Sequence, residues 1–192
     1  MEKYRYILRI LFMSQITIKN AVIEVFIGDL INVEYDAIVI PTNSRLLPSG
    51  TLRCKVLKEA GHSVQLECNQ IISKISNVPI GGAIITSGGN LNANFILHVR
   101  TGHDQKKLML ATWNSLIFAD KEELNSIAFP PLSIDVLGFN ARICAGIMIP
   151  TIQKYFLERN KNLKNVSVCV ENLPDYKDFD SALSDLTTHI LS

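Results

Sequence analysis

The chain has 192 residues, 47% of them hydrophobic, and a formal net charge of +1. That length and apolar content suit a globule with a substantial core and exclude a disordered chain. With no dense run of Lys or Arg, duplex DNA is not an expected partner. The four cysteines, Cys54, Cys68, Cys144 and Cys169, include no C-x-x-C pair. They are expected as reduced, mostly buried thiols of a cytoplasmic protein, forming neither a zinc site nor a disulfide frame.

The opening MEKYRYILRILFM sets Lys3, Arg5 and Arg9 around an apolar core at Ile7–Met13. That core is too short to span a bilayer and no small-residue cleavage site follows, so neither a membrane span nor a signal peptide is expected. Residues 1–12 are either an appendage ahead of an alternative start at Met13 or a short basic amphipathic helix. Residues 13–192 are expected to form one domain.

Along the chain, Gln15–Asn20 alternates polar and apolar residues like a half-exposed strand, with Val22–Ile27 as its neighbour. Ala37–Ile40 is uninterrupted and β-branched, as in a strand buried on both faces. In LLPSGTLRCKVLKEAG, Pro48, Ser49 and Gly50 predict a loop. Leu52, Val56 and Ala60 then predict a helix, ended by Gly61 in a left-handed conformation. His62–Lys74 reads as a second helix with Val64, Cys68, Ile71 and Ile72 on one stripe. Strands at Ala83–Ser87 and Asn94–Val99 precede a helix over Asp104–Glu123. The short strand Ser126–Phe129 runs into the loop PPLSIDVLGFN. A helix over Ala141–Arg159 follows, with Pro150 expected to kink or interrupt its first turns. Val166–Val170 reads as a strand and Asp178–Leu191 as a closing amphipathic helix. Strands and helices alternating in this way predict a three-layer α/β/α sandwich with a mixed central sheet.

Several familiar chemistries are absent from the sequence. It holds no P-loop, no G-x-G-x-x-G after the first strand and no G-x-S-x-G elbow. His62, His98, His103 and His189 are isolated, so no metal site is expected, and no cofactor. His98, inside the apolar run FILHV, reads as a satisfied core imidazole. What remains is three loops at the carboxyl ends of predicted strands, 28–30, 41–51 and 130–139, where ligands bind in open α/β sheets. Asp29 offers an acceptor for an exocyclic amine, and a helix start can hold a diphosphate on its backbone N–H groups. Gly-Asp and Pro-Thr-Asn are equally ordinary turn chemistry, and the residues alone leave both readings open.

Four segments in order carry a resemblance. GDL-x5-DAIVIPTN (28–43) is similar to the GDIT…DAIVNAAN of macro domains, the ADP-ribose-binding modules, and LKEAG (57–61) to their AAG. IGGAIITSGGNLNANFILHV (80–99) resembles the family's G-x-A-x-x-T-x-G-x-x-L…IH, and SIAFPPLSIDVLGF (126–139) its SIAFP…GVFGFP. The resemblance, over about residues 16–192, implies that Asp29 recognises the adenine amine while the Leu30 backbone helps hold the ring. It implies that Asn43 faces the distal ribose and that Ser49, Gly50 and Thr51 line the first ligand loop. Ser133, Asp135, Val136, Leu137, Gly138 and Phe139 would wrap the diphosphate, with Phe139 near the ribose. For Phe139 core packing is the alternative, and for Ser133 ordinary turn chemistry.

The chain departs from the family at Ile40, where an Asn is usual, and in a first loop reduced to one glycine, Gly50. Arg53 stands where hydrolytic members carry an Asp, and Asp135 where a Gly is usual. A carboxylate turned toward a diphosphate would repel it by about 1 kcal/mol at ~4 Å in water. These departures point to a module binding free or protein-linked ADP-ribose without efficient catalysis. Two alternatives stay open: an ADP-ribose-processing hydrolase, and a degenerate module serving as a protein or RNA contact surface.

Overall fold

A computed structural model describes residues 12–102, 104–132 and 139–190. Seven strands form one mixed sheet in the order β1-β2-β7-β6-β3-β5-β4. They are β1 (Met13–Ile18), β2 (Ala21–Ile27), β3 (Ala37–Pro41), β4 (Ala83–Ser87), β5 (Phe95–Val99), β6 (Ser126–Phe129) and β7 (Asn165–Val170). The five central strands, β2, β7, β6, β3 and β5, run parallel, and β1 and β4 close the two edges antiparallel. All five central carboxyl ends therefore open on one side of the sheet.

Among the described residues five α-helices cover the faces: α1 (Thr51–Ala60), α2 (His62–Ile75), α3 (Gln105–Lys121), α4 (Ala141–Glu158) and α5 (Leu173–Ile190). The period-two alternation of strand side chains divides the core. In β3, Ala37 and Val39 join the larger cluster under α3, α4 and α5, while Ile38 and Ile40 join the one under α1 and α2. All four are fully buried, each larger side chain contributing about 1.5–3 kcal/mol of apolar burial. This is the three-layer α/β/α sandwich with a mixed sheet that the alternation predicts. Among the described residues no helix is long and apolar enough to cross a membrane.

Two local expectations need correction, and of the two outcomes expected at Pro150, a kink or an interruption, the second does not occur. Gly61 ends α1 with a positive φ of 93° but a ψ of 169°, an extended glycine conformation instead of the left-handed helical one. Helix α4 passes through Pro150 without interruption. Buried Met148, Ile149 and Ile152 pin the helix to the sheet on either side of the lost N–H, and the residue four earlier is Gly146. Helix α5 begins five residues before the expected Asp178, because Asn172 caps it: its Oδ1 accepts from Asp175 N at 2.9 Å.

Candidate functional site

The chain leaves β2 at Ile27 and turns at once through Gly28 and Asp29 into a short 3-10 turn, Leu30–Asn32. Asp29 shapes that turn. Its Oδ1 accepts from Ile31 N and its Oδ2 from Asn32 Nδ2, both at 3.2 Å. The Asp29 side chain is only 12% exposed, yet it meets a cation from another element: Lys55 Nζ, on α1, lies 3.2 Å from Oδ1. Lys55 also stands 4.0 Å from Glu171 Oε1, at the end of β7, and so joins the loops after two neighbouring strands.

Beside this pair lies a crevice of about 500 Å³ at the carboxyl edge of the sheet. Leu30, Thr51, Leu52 and Lys55 form one wall, Pro130 and Pro131 another, and Cys169, Glu171, Asn172 and Asp175 the third. Of the residues singled out from sequence, Leu30 and Thr51 line it, and Asp29 adjoins it through Lys55. Ser133, Asp135, Val136, Leu137 and Gly138 lie outside the described residues. Phe139 is half-buried and packs on the larger core cluster.

Sequence reasoning missed Lys55 and the loop after β7. The second omission was avoidable. Val166–Val170 was legible as a strand, and the crevice rule applies to its carboxyl end as to the others. Asn172 followed by Asp175 three residues on is also a helix-start signature, completed by Asn172 Nδ2 donating to Asp175 Oδ2 at 2.9 Å.

The first loop, between β3 and α1, is built by Asn43. Its Oδ1 accepts from Arg45 N (3.0 Å) and Leu47 N (3.1 Å), while Nδ2 donates to Leu47 O and Ser49 Oγ, both at 2.9 Å. All four hydrogen-bonding directions of the amide thus serve the loop. Ser49 is held as one of those partners, and Thr51 begins α1. Gly50 caps α1 at φ 68° and ψ 165°, a region essentially restricted to glycine, and no side chain caps this helix start. The first N–H groups of α1 consequently point beyond the helix at the place where Thr51 and Leu52 line the crevice.

Under the loop sits Arg53, only 1% exposed. Its Nε donates to Leu47 O (2.9 Å), Nη2 to Leu46 O (2.6 Å) and Nη1 to His98 Nδ1 (2.7 Å). A guanidinium only donates, so His98 Nδ1 must be the acceptor and the ring proton sits on Nε2. Nε2–H then donates to Thr86 Oγ1 (2.8 Å), whose hydroxyl passes on to Ser87 O (3.1 Å). Burial, and secondarily the Arg53 charge, holds His98 well below its ordinary pKa, so it is neutral. Burial likewise lowers the guanidinium and raises the adjacent Cys68 thiol. His98 is the satisfied core imidazole expected of FILHV, and Arg53 is loop architecture behind the site.

What the crevice offers is recognition chemistry: a carboxylate–ammonium pair, an uncapped helix start, and apolar surface from Leu30, Leu52 and the two prolines. Such a combination suits a flat heterocycle joined to an anion. Among the described residues no group of His, Cys, Asp and Glu could hold a metal ion. The cysteines form no disulfide, with Cys68, Cys144 and Cys169 buried and Cys54 exposed. Burial, with the Asp175 charge, pushes the Cys144 thiol up to about 12, which rules out a reactive thiolate near neutral pH.

Comparison with known proteins bears on the family and the fold. The family model for the Macro domain matches residues 39–148. A macro domain-containing protein of Listeria monocytogenes is 34% identical over 78% of this chain and 91% of its own length. O-acetyl-ADP-ribose deacetylase 1 of Pantoea vagans is 28% identical over 80% of this chain and 94% of its own. Among solved structures, a variant of the Oceanobacillus iheyensis macrodomain with ADPR superimposes with a TM-score of 0.87 at 25% identity, covering 92% of this chain and 99% of that one.

Proposed function

The chain belongs to the macro domain family, and we propose that it binds ADP-ribose or a related adenine nucleotide, free or linked to protein, without efficient catalysis. The observation that carries this reading is the crevice at the ends of β2, β6 and β7, with Asp29 at one side and the uncapped start of α1 at the other. In it the Asp29 carboxylate accepts from the base amine, and Leu30 and the prolines flank the ring. The diphosphate lies toward the first N–H groups of α1 and the loop after β6, where a helix start favours an anion. Asn43 contributes by fixing the loop that borders the ribose. The ADPR-bound state of the similar Oceanobacillus iheyensis protein supports the ligand class.

The absence of efficient catalysis rests on two side chains. Hydrolysis needs a group that activates water against the reacting carbon. Arg53 is buried with its donors spent on loop carbonyls and an imidazole, and the Asn43 amide is spent on its own loop. The second reading, an ADP-ribose-processing hydrolase, is favoured by the likeness to the Pantoea vagans deacetylase.

Calorimetric titration with ADP-ribose, paired with a turnover assay on O-acetyl-ADP-ribose and glutamate-linked ADP-ribose, tests both. Saturable heat with negligible turnover is expected. Efficient turnover would make the protein a hydrolase. No heat at high micromolar protein would leave a contact surface that has lost the nucleotide.

A further inference from the structure

The wall that meets the base carries more than a carboxylate. Lys55 Nζ lies 3.2 Å from Asp29 Oδ1, lines the same crevice, and is 43% exposed along its side chain. An ammonium has three N–H bonds. One reaches Asp29, and Glu171 at 4.0 Å is an ion partner beyond hydrogen-bond range. Lys55, which lines the crevice, and Asp29, which adjoins it through Lys55, therefore set a donor and an acceptor side by side, where a lone Asp29 would present an acceptor only.

That pairing changes which purine edge fits. A 6-aminopurine shows a donor at N6 and acceptors at its ring nitrogens. A 6-oxopurine reverses the pattern, with an acceptor at O6 and a donor at N1. Against a carboxylate alone, the O6 of a 6-oxopurine faces a like-charged oxygen and loses its partner, which a buried polar group does not tolerate. Beside Lys55, O6 accepts from the ammonium while Asp29 accepts from N1–H. A 6-aminopurine needs only the carboxylate, N6–H donating to Asp29, and asks nothing of Lys55.

We infer that Lys55 is a specificity-determining residue that opens this site to 6-oxopurine diphosphoribose nucleotides as well as to the adenine form. The inference rests on the nucleotide reading above. It places the recognition of O6 on one residue, two positions along α1 from the buried Arg53.

The test is calorimetric titration of the full chain and of Lys55→Ala with ADP-ribose, inosine diphosphate ribose and guanosine diphosphate ribose, each protein checked for an unchanged melt. In the native protein the three dissociation constants are expected within tenfold of one another. In Lys55→Ala the two 6-oxo ligands weaken tenfold or more while ADP-ribose weakens threefold or less. A native preference for ADP-ribose well beyond tenfold overturns the proposal. So does an equal loss for all three ligands in Lys55→Ala, which would make Lys55 a general anion contact. Heat with ADP-ribose alone sinks this inference and leaves the nucleotide reading standing, whereas absence of heat with all three sinks both.

Discussion

Arg53 and Lys55 stand two residues apart on one helix and live in different solvents. Arg53 is 1% exposed and gives its donors to two carbonyls and an imidazole. The Lys55 side chain is 43% exposed, pairs with Asp29 and borders a crevice. A buried cation is tolerated only when its hydrogen bonds are complete, so Arg53 is fixed and its role is to fix others. An exposed ammonium keeps its hydration and its rotamers, so Lys55 can change partners when a ligand arrives. The first cation builds the loop, and the second meets what the loop borders.

Removing Arg53 should have the largest consequence. Arg53→Ala takes the donor from the His98 ring, leaves Leu46 O with only Gln65 Nε2 and Leu47 O with only Asn43 Nδ2, and opens a cavity, at an expected cost of about 3–5 kcal/mol in urea unfolding. Arg53→Lys keeps the charge but not the planar fork, and should still cost ~2 kcal/mol. A loss below ~1 kcal/mol for Arg53→Ala would erase the distinction between the two cations.

Next in size is Asp29. Asp29→Ala removes a charged acceptor worth roughly 1.5–3 kcal/mol, so ADP-ribose binding should weaken by about ten- to a hundredfold. An unchanged dissociation constant would remove Asp29 from the site, and an accompanying melt separates this effect from loss of its turn-capping bonds.

The pH dependence of stability probes the Arg53 side of the pair. His98 is depressed in the folded protein, so below the unfolded value near 6.5 the unfolded chain binds the extra proton and the folded one does not. Stability from this site is present above pH ~6.5 and lost progressively as pH falls toward the folded value, with a slope of up to about 1.4 kcal/mol per pH unit. Unfolding curves between pH 7.5 and 5.5 should show this loss, and His98→Gln should flatten it. An identical slope in the variant would assign the dependence elsewhere.

The smallest effect is expected of Lys55→Ala on stability, within ~0.5 kcal/mol, as for other partly exposed ion pairs. A cost comparable to that of Arg53→Ala would make the exposed cation structural too.

Much of the frame was legible because burial imposes periodicity. The run Ala37–Ile40 is read by both core clusters, and Ser126–Phe129 coincides with β6. Asp29 and Asn43 were found at strand ends, although the amount of local bonding each carries depends on backbone geometry that no spacing reveals. Arg53 was more readable than it seemed. Arg53, Val56, Leu57 and Ala60 follow helical i, i+3, i+4, i+7 spacing and are all buried, so an arginine sits on the apolar stripe itself. Lys55 was not readable, because its place beside Asp29 depends on how α1 lies across the end of β2. The start of α5 was hidden by Pro174, which suggests a loop but is tolerated in a first helical turn.

The central claim, that the crevice between the ends of β2, β6 and β7 takes the nucleotide, is tested most directly by following backbone amide resonances during an ADP-ribose titration. Binding there predicts saturable shifts concentrated in residues 28–32, 51–55 and 169–175, with the amides around Asp120 and Asn162, at the far ends of α3 and β7, unmoved. Shifts that cluster at that far side, or none at saturating ligand, would contradict it.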